Sequence, residues 1–142
     1  MKAHIVDYVD FLNKEEKRKL RNHIKLILKH LRLASNKDLC ITFLDDKGMK
    51  ELNSTYRGIK RTTDVLSFPQ DGPDIRSLGD IIISADTAKK HARFYKISLQ
   101  REITKLIIHG ILHILGYDHK KKNDANKMRK KEKELLQLVN FS

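Results

Sequence analysis

Three histidines interrupt an aliphatic stretch of this 142-residue chain, "ITKLIIHGILHILGYDH", residues 103–119. His109 and His113 are four apart, so on a helix both imidazoles leave the same face, one turn from each other. Gly116 supplies the stop that a helix needs before a third group can come round, and His119, three residues further on, folds back toward the same point. A polar side chain among aliphatic neighbours is costly unless it has a partner, and three at this spacing are hard to explain as packing. The pattern is that of a three-imidazole metal site, for which neutral imidazoles favour zinc, one ion per chain.

The spacing is also that of the metzincin zinc proteases, H-E-x-x-H-x-x-G-x-x-H, yet Gly110 stands where those enzymes keep a catalytic glutamate. Three protein ligands leave zinc's fourth position open, which is the catalytic arrangement, and a water there is acidified to a pKa of about 7. Peptide hydrolysis suffers most from the missing glutamate, because the leaving amine must be handed a proton. Phosphodiester cleavage leans more on cations around a pentavalent transition state, and a metal with an arginine meets that need. Gly110 therefore argues against a protease and permits a nuclease.

A helix this apolar must be buried, and the rest of the chain offers the layers to bury it. "HIVDYV", "LCITFLD", "TDVLSFP" and "LGDIIIS" read as strands, the third ended by Pro69, which has no amide hydrogen for a ladder. Residues 14–33, with Leu20, Ile24, Ile27, Leu28 and Leu31 at helical spacing, read as a helix, and "DKGMKELNSTYR" as a shorter one. "QDGPDIRS" is a turn-rich loop. Ser84 is placed to cap "ADTAKKHARFYK", and Ser98 to cap the histidine helix. A last helix is expected over 123–139. The expected architecture is α+β in one domain over residues 1–142, a mixed sheet of about four strands packed against the buried metal-binding helix.

Thirty Lys and Arg against eighteen Asp and Glu give a net +12, a bias toward polyanionic partners. Residues 14–33 carry +6 and residues 119–142 carry +5, so the basic segments flank the histidine motif and the remainder is nearly neutral. The start, "MKAHIVDYVDFLNKEEK", does not read as a signal peptide, because Asp7 and Asp10 break any apolar run. No run approaches a membrane span. With Cys40 as the single cysteine there is no internal disulfide and no Cys-based zinc knuckle, and the cytoplasm is the expected compartment.

"LNSTYRG", "TDVLSFP", "LGDIIIS" and "HGILHILGYDH", in this order from Leu52 to His119, resemble the YbeY-type endoribonucleases, bacterial metal-dependent enzymes of rRNA maturation. The resemblance continues weakly through Met128 and Glu132. It implies a zincin-like α+β fold with one zinc on His109, His113 and His119. It implies cleavage of single-stranded RNA, with roles in 16S rRNA 3′-end maturation and ribosome quality control, and no membrane or DNA partner is expected. Arg57 matches the family's functionally important arginine in "YRG". The chain departs from the family after "GYDH", where acidic residues are common and this sequence runs "KKKNDANK". By the charge map, Lys120, Lys121 and Lys122 are candidate RNA-binding residues, against the plainer reading of a solvated face.

The other polar residues each carry two readings. Arg57 is a phosphate clamp or a loop salt bridge. Asp64 steers Arg57 or a ligand imidazole, or starts a strand. Asp118 orients an imidazole or relays a proton, or shapes the turn after Gly116. Glu102, on the His109 face two turns earlier, orients a ligand from behind or complements the helix N-terminus. No residue stands out as the general base. Two further functions share these features: a zinc metalloprotease or amidase shares the site spacing, and a non-catalytic ribosome- or RNA-binding module shares the charge.

Overall fold

The alternation in "DLCITFL" decides which side of the sheet is covered. A computed structural model of the chain describes residues 2–33, 37–57, 65–69, 77–117 and 121–141. In strand β2, Asp38–Leu44, the side chains of Leu39, Ile41 and Phe43 are buried while Cys40 and Thr42 between them are half-covered. Strand β4, Ser77–Ser84, repeats the pattern with Ile81 and Ile83. The two run parallel with Ile41 opposite Ile81 and Phe43 opposite Ile83, which makes one face of the sheet continuously apolar. Strand β1, Ala3–Asp7, adds in parallel to β2, and strand β3, Val65–Pro69, adds antiparallel to β4. Among the described residues the sheet is therefore mixed, in the order β1-β2-β4-β3.

Parallel neighbours need a crossover, and helix α1, Lys14–His30, provides the one from β1 to β2. Its start is a reciprocal cap: Asn13 accepts from the Glu16 amide at 2.8 Å and Glu16 accepts from the Asn13 amide at 2.9 Å. β1 is shorter than "HIVDYV" suggests, because the Asp7 carboxylate turns the chain by accepting the amides of Phe11 and Leu12 at 2.7 and 2.8 Å. α1 likewise stops at His30 and not at residue 33, since Arg32 sits in the left-handed region at φ 55°. Helix α2, Asp46–Arg57, leads out of β2, and helix α3, Ala85–Tyr95, follows β4 directly. Ser84 caps α3 through the Thr87 amide, as its position suggests. The expected loop "QDGPDIRS" lies outside the described residues up to Ser77, which already belongs to β4.

Helix α4, Leu99–Ile114, is capped by Ser98 and packs over β3 and β4, with α1, α3 and helix α5, Lys122–Gln137, around it. Ile103, Leu106, Ile107, Ile108, Ile111 and Leu112 join the sheet's apolar face in one core. Gly110 marks the closest approach. A Cβ there would stand 2.9–3.1 Å from Cδ1, Cγ1 and Cγ2 of Ile81, so with any other residue at that position either the helix or the Ile81 side chain must shift. No helix among the described residues is long and apolar enough to cross a membrane.

Candidate metal centre and its surroundings

With the sheet taking one side of α4 and three helices taking others, His109 and His113 occupy the stripe that remains partly open. Their rings stand nearly perpendicular, centroids 4.5 Å apart, and the two Nε2 atoms approach to 3.0 Å. Immediately beyond His113 the helix closes in a Schellman turn: the Gly116 amide donates to the His113 carbonyl at 3.0 Å and the Tyr117 amide to the Leu112 carbonyl at 2.9 Å. Gly116 takes φ +96° there, a conformation that a residue with a Cβ adopts only under strain. The stop read from the sequence thus falls where expected.

Behind His109 stands a carboxylate. Glu132, on α5, is 3.2 Å from His109 Nδ1. A proton on Nδ1 shared with Glu132 leaves the lone pair of His109 on Nε2, the atom that faces His113. The two Nε2 atoms are close enough together for both imidazoles to hold one zinc ion. Metal-binding imidazoles commonly hand their other N–H to a carboxylate, so the Glu132–His109 contact fits the same assignment.

Glu132 was legible only in part. Met128, Glu132 and Leu135 form an i, i+4, i+7 stripe whose outer members are buried, which leaves a carboxylate where the period calls for an apolar residue. What it touches, twenty-three residues away on another helix, no local pattern carries. Arg129, one turn before Glu132, is a residue that the sequence did not single out. It lines a pocket with His109, Ala125, Met128 and Glu132, and its guanidinium is hydrogen-bonded to Asn126.

Glu102 is buried, its carboxylate 3.4 Å from Lys105 Nζ and 3.8 Å from His91 Nδ1. It lines a second pocket, with His91, Tyr95, Lys105, His109 and Glu132, so it borders the site while its ion-pair partner is Lys105. Arg57 closes α2, and its side chain lies outside what is described. His119, Asp64, Asp118 and Lys120 also lie outside the described residues. Lys121 and Lys122 are exposed at the start of α5, Lys121 in the cap position without a side-chain hydrogen bond to the helix.

A family model described as endoribonuclease YbeY matches residues 6–140. Among curated proteins, an endoribonuclease YbeY from Nautilia profundicola is 45% identical over 109 residues, 77% of either chain. One from Aquifex aeolicus is 41% identical over 130 residues, covering 90% of this chain and 82% of its own. One from a Thermoanaerobacter species is 34% identical over 150 aligned positions, 95% and 93% of the two chains. A solution structure of a Thermotoga maritima protein superposes with a TM-score of 0.70 at 26% identity, over 96% of this chain and 87% of that one.

Proposed function

Since this chain belongs to the YbeY endoribonuclease family, we propose that it is a zinc-dependent hydrolase that cuts single-stranded RNA beside the paired imidazoles of α4. Endoribonuclease activity follows from membership. The zinc, the arginine and the substrate, rRNA at the 3′ end of the 16S molecule on the ribosome in the cytoplasm, are the finer parts of the proposal. The observation that carries it is the convergence of His109 Nε2 and His113 Nε2 in front of Glu132.

His109, His113 and His119 would hold the ion, which when bound supplies Lewis acidity toward water and toward a phosphoryl oxygen. Glu132 keeps the His109 ring in the tautomer that turns a lone pair outward. Arg57, placed in this role by its match to "YRG", offers a planar two-pronged donor to phosphoryl oxygens as negative charge grows on them. Two surface pockets share His109 and Glu132, one lined further by Arg129 and the other by Lys105. A duplex cannot splay its phosphate into such a cleft, so single strands are the expected substrate. A protease is disfavoured on a specific ground: position 110 faces Ile81 in the core, and a glutamate there would have neither space nor access to substrate.

The test is cleavage of matched single- and double-stranded RNAs, with metal content measured alongside. Wild type should cut only the single strand, and His113→Ala should lose both zinc and cleavage. Arg57→Ala should keep its zinc and lose on the order of 10²–10³ in kcat, with a smaller change in RNA affinity. Full zinc occupancy in His113→Ala, or normal cleavage by Arg57→Ala, would remove the corresponding part of the assignment.

A further inference from the structure

The pocket that begins at His109 and Glu132 ends at an aromatic residue that the fold leaves uncovered. Tyr95 is 57% exposed and Phe94 beside it 78%, at the last turn of α3, although burying either ring against the core would stabilise the fold. The two rings meet edge to face, centroids 5.1 Å apart, and His91 meets Tyr95 edge-on at 6.1 Å. Lys105 Nζ stands over the Tyr95 ring, 5.3 Å from its centroid, and is held from below by the buried Glu102 carboxylate. The helix then turns through Lys96, a non-glycine residue in the left-handed region at φ 55°, so the chain leaves at once and does not cover the rings.

The segment that carries these rings is more basic than the near-neutral average of the middle of the chain. Residues 85–105 carry Lys89, Lys90, Arg93, Lys96, Arg101 and Lys105 against Asp86 and Glu102, a net +4. Two exposed aromatic rings, with a lysine over one of them in a pocket that also reaches His109, offer what a single nucleic-acid strand uses: a cation for a phosphate and a π-face for a base. A protein partner would be expected to find an apolar centre with few charges, whereas Lys105 stands over the Tyr95 ring and Lys96 follows it in the chain.

We propose that Tyr95 and Phe94 form a base-stacking platform for the single-stranded RNA on one side of the cleaved phosphate, with Lys105 set by Glu102 against the strand's backbone. The proposal rests on the RNA-cleaving reading and adds where the strand lies. It gives affinity with little sequence preference, because every base has a π-face.

The experiment measures binding of a short, 2′-O-methylated and therefore uncleavable oligonucleotide by fluorescence anisotropy. Tyr95→Ala and Phe94→Ala should each weaken binding by about fivefold to a hundredfold, while Tyr95→Phe stays within about twofold. The dependence of affinity on salt should be unchanged in Tyr95→Ala, since every phosphate keeps its cation. One abasic position in the oligonucleotide should abolish the difference between wild type and Tyr95→Ala. Unchanged affinity in Tyr95→Ala, or equal weakening for every abasic oligonucleotide, would overturn the platform. So would a wild-type dimer that Tyr95→Ala converts to monomer at undiminished RNA affinity, which would make the rings a self-association surface. If wild type cleaves single-stranded RNA while Tyr95→Ala binds normally, the platform alone falls. If wild type neither binds nor cleaves RNA, the functional reading falls with it.

Discussion

Two glycines and one glutamate bear on the site without being candidates for ligands. Gly110→Ala should gain about 1 kcal/mol of helix propensity and lose more to overpacking against Ile81, which costs about 1–3 kcal/mol where three atoms of one side chain already crowd the position. A lowered denaturant midpoint is expected, and an unchanged one would show that Ile81 yields. Gly116 acts through its backbone alone, since nothing lies within 4 Å of where its Cβ would be. Glu132 acts through His109. Glu132→Gln should leave the fold intact, because its side chain is on a half-open face, and should lower zinc affinity by about 10–100-fold in a chelator competition. Undiminished affinity in that titration would show that Glu132 does not orient the imidazole.

At the scale of elements, α5 begins against electrostatic preference. Lys121 in the cap position and Lys122 in the first turn place cations at the positive end of the helix dipole, an arrangement that costs about 0.3–1 kcal/mol per charge at an exposed site. Their presence is better explained by a polyanion than by helix stability. Replacing Lys120, Lys121 and Lys122 by glutamine should therefore raise the thermal midpoint slightly. It should also flatten the salt dependence of RNA affinity by about 0.7 in log K for each phosphate that is no longer neutralised. A stabilised protein with the wild-type salt slope would mean that these lysines meet solvent only. α4 shows the opposite arrangement: Ser98 and Gly116 close its two ends with hydrogen bonds.

Across the whole molecule, Asp46 joins elements distant in sequence. Its carboxylate accepts from Ser84 Oγ and from Thr87 Oγ1 at 2.9 Å, with Lys90 Nζ at 3.6 Å, and so ties the start of α2 to the β4–α3 junction. The Ser84 hydrogen bond above all, with Thr87 and Lys90, holds the Asp46 carboxyl below its ordinary value of 3.8. A depressed carboxyl stabilises the fold above the unfolded value, and that contribution is lost as pH falls through the folded one. Below pH 4, wild type should thus lose stability more steeply than Asp46→Asn. Parallel curves in acid denaturation would show that the junction does not depend on this charge. The sheet adds a similar constraint: with Ile41 opposite Ile81 and Phe43 opposite Ile83, one slip in register would turn the apolar face away from α4.

Periodicity and punctuation are local, so the sequence determined the elements of this protein. The alternation of 38–44, the caps Ser84 and Ser98, the stop at Gly116 and the imidazole pair at 109 and 113 were all legible there, because each depends on neighbours within about one turn. Element ends were less so: β1 stops at Asp7 because its carboxylate captures amides four and five residues on, a choice that composition does not reveal. Averaging charge over segments concealed the +4 of residues 85–105 beside the site. Three facts belong to the tertiary structure alone. Glu132 meets His109, Ile81 leaves no space at Gly110, and the pocket from His109 runs out to Tyr95. Each joins residues at least fourteen positions apart, decided by how α3, α4 and α5 settle on the sheet, and packing of that kind has no period for a sequence to display.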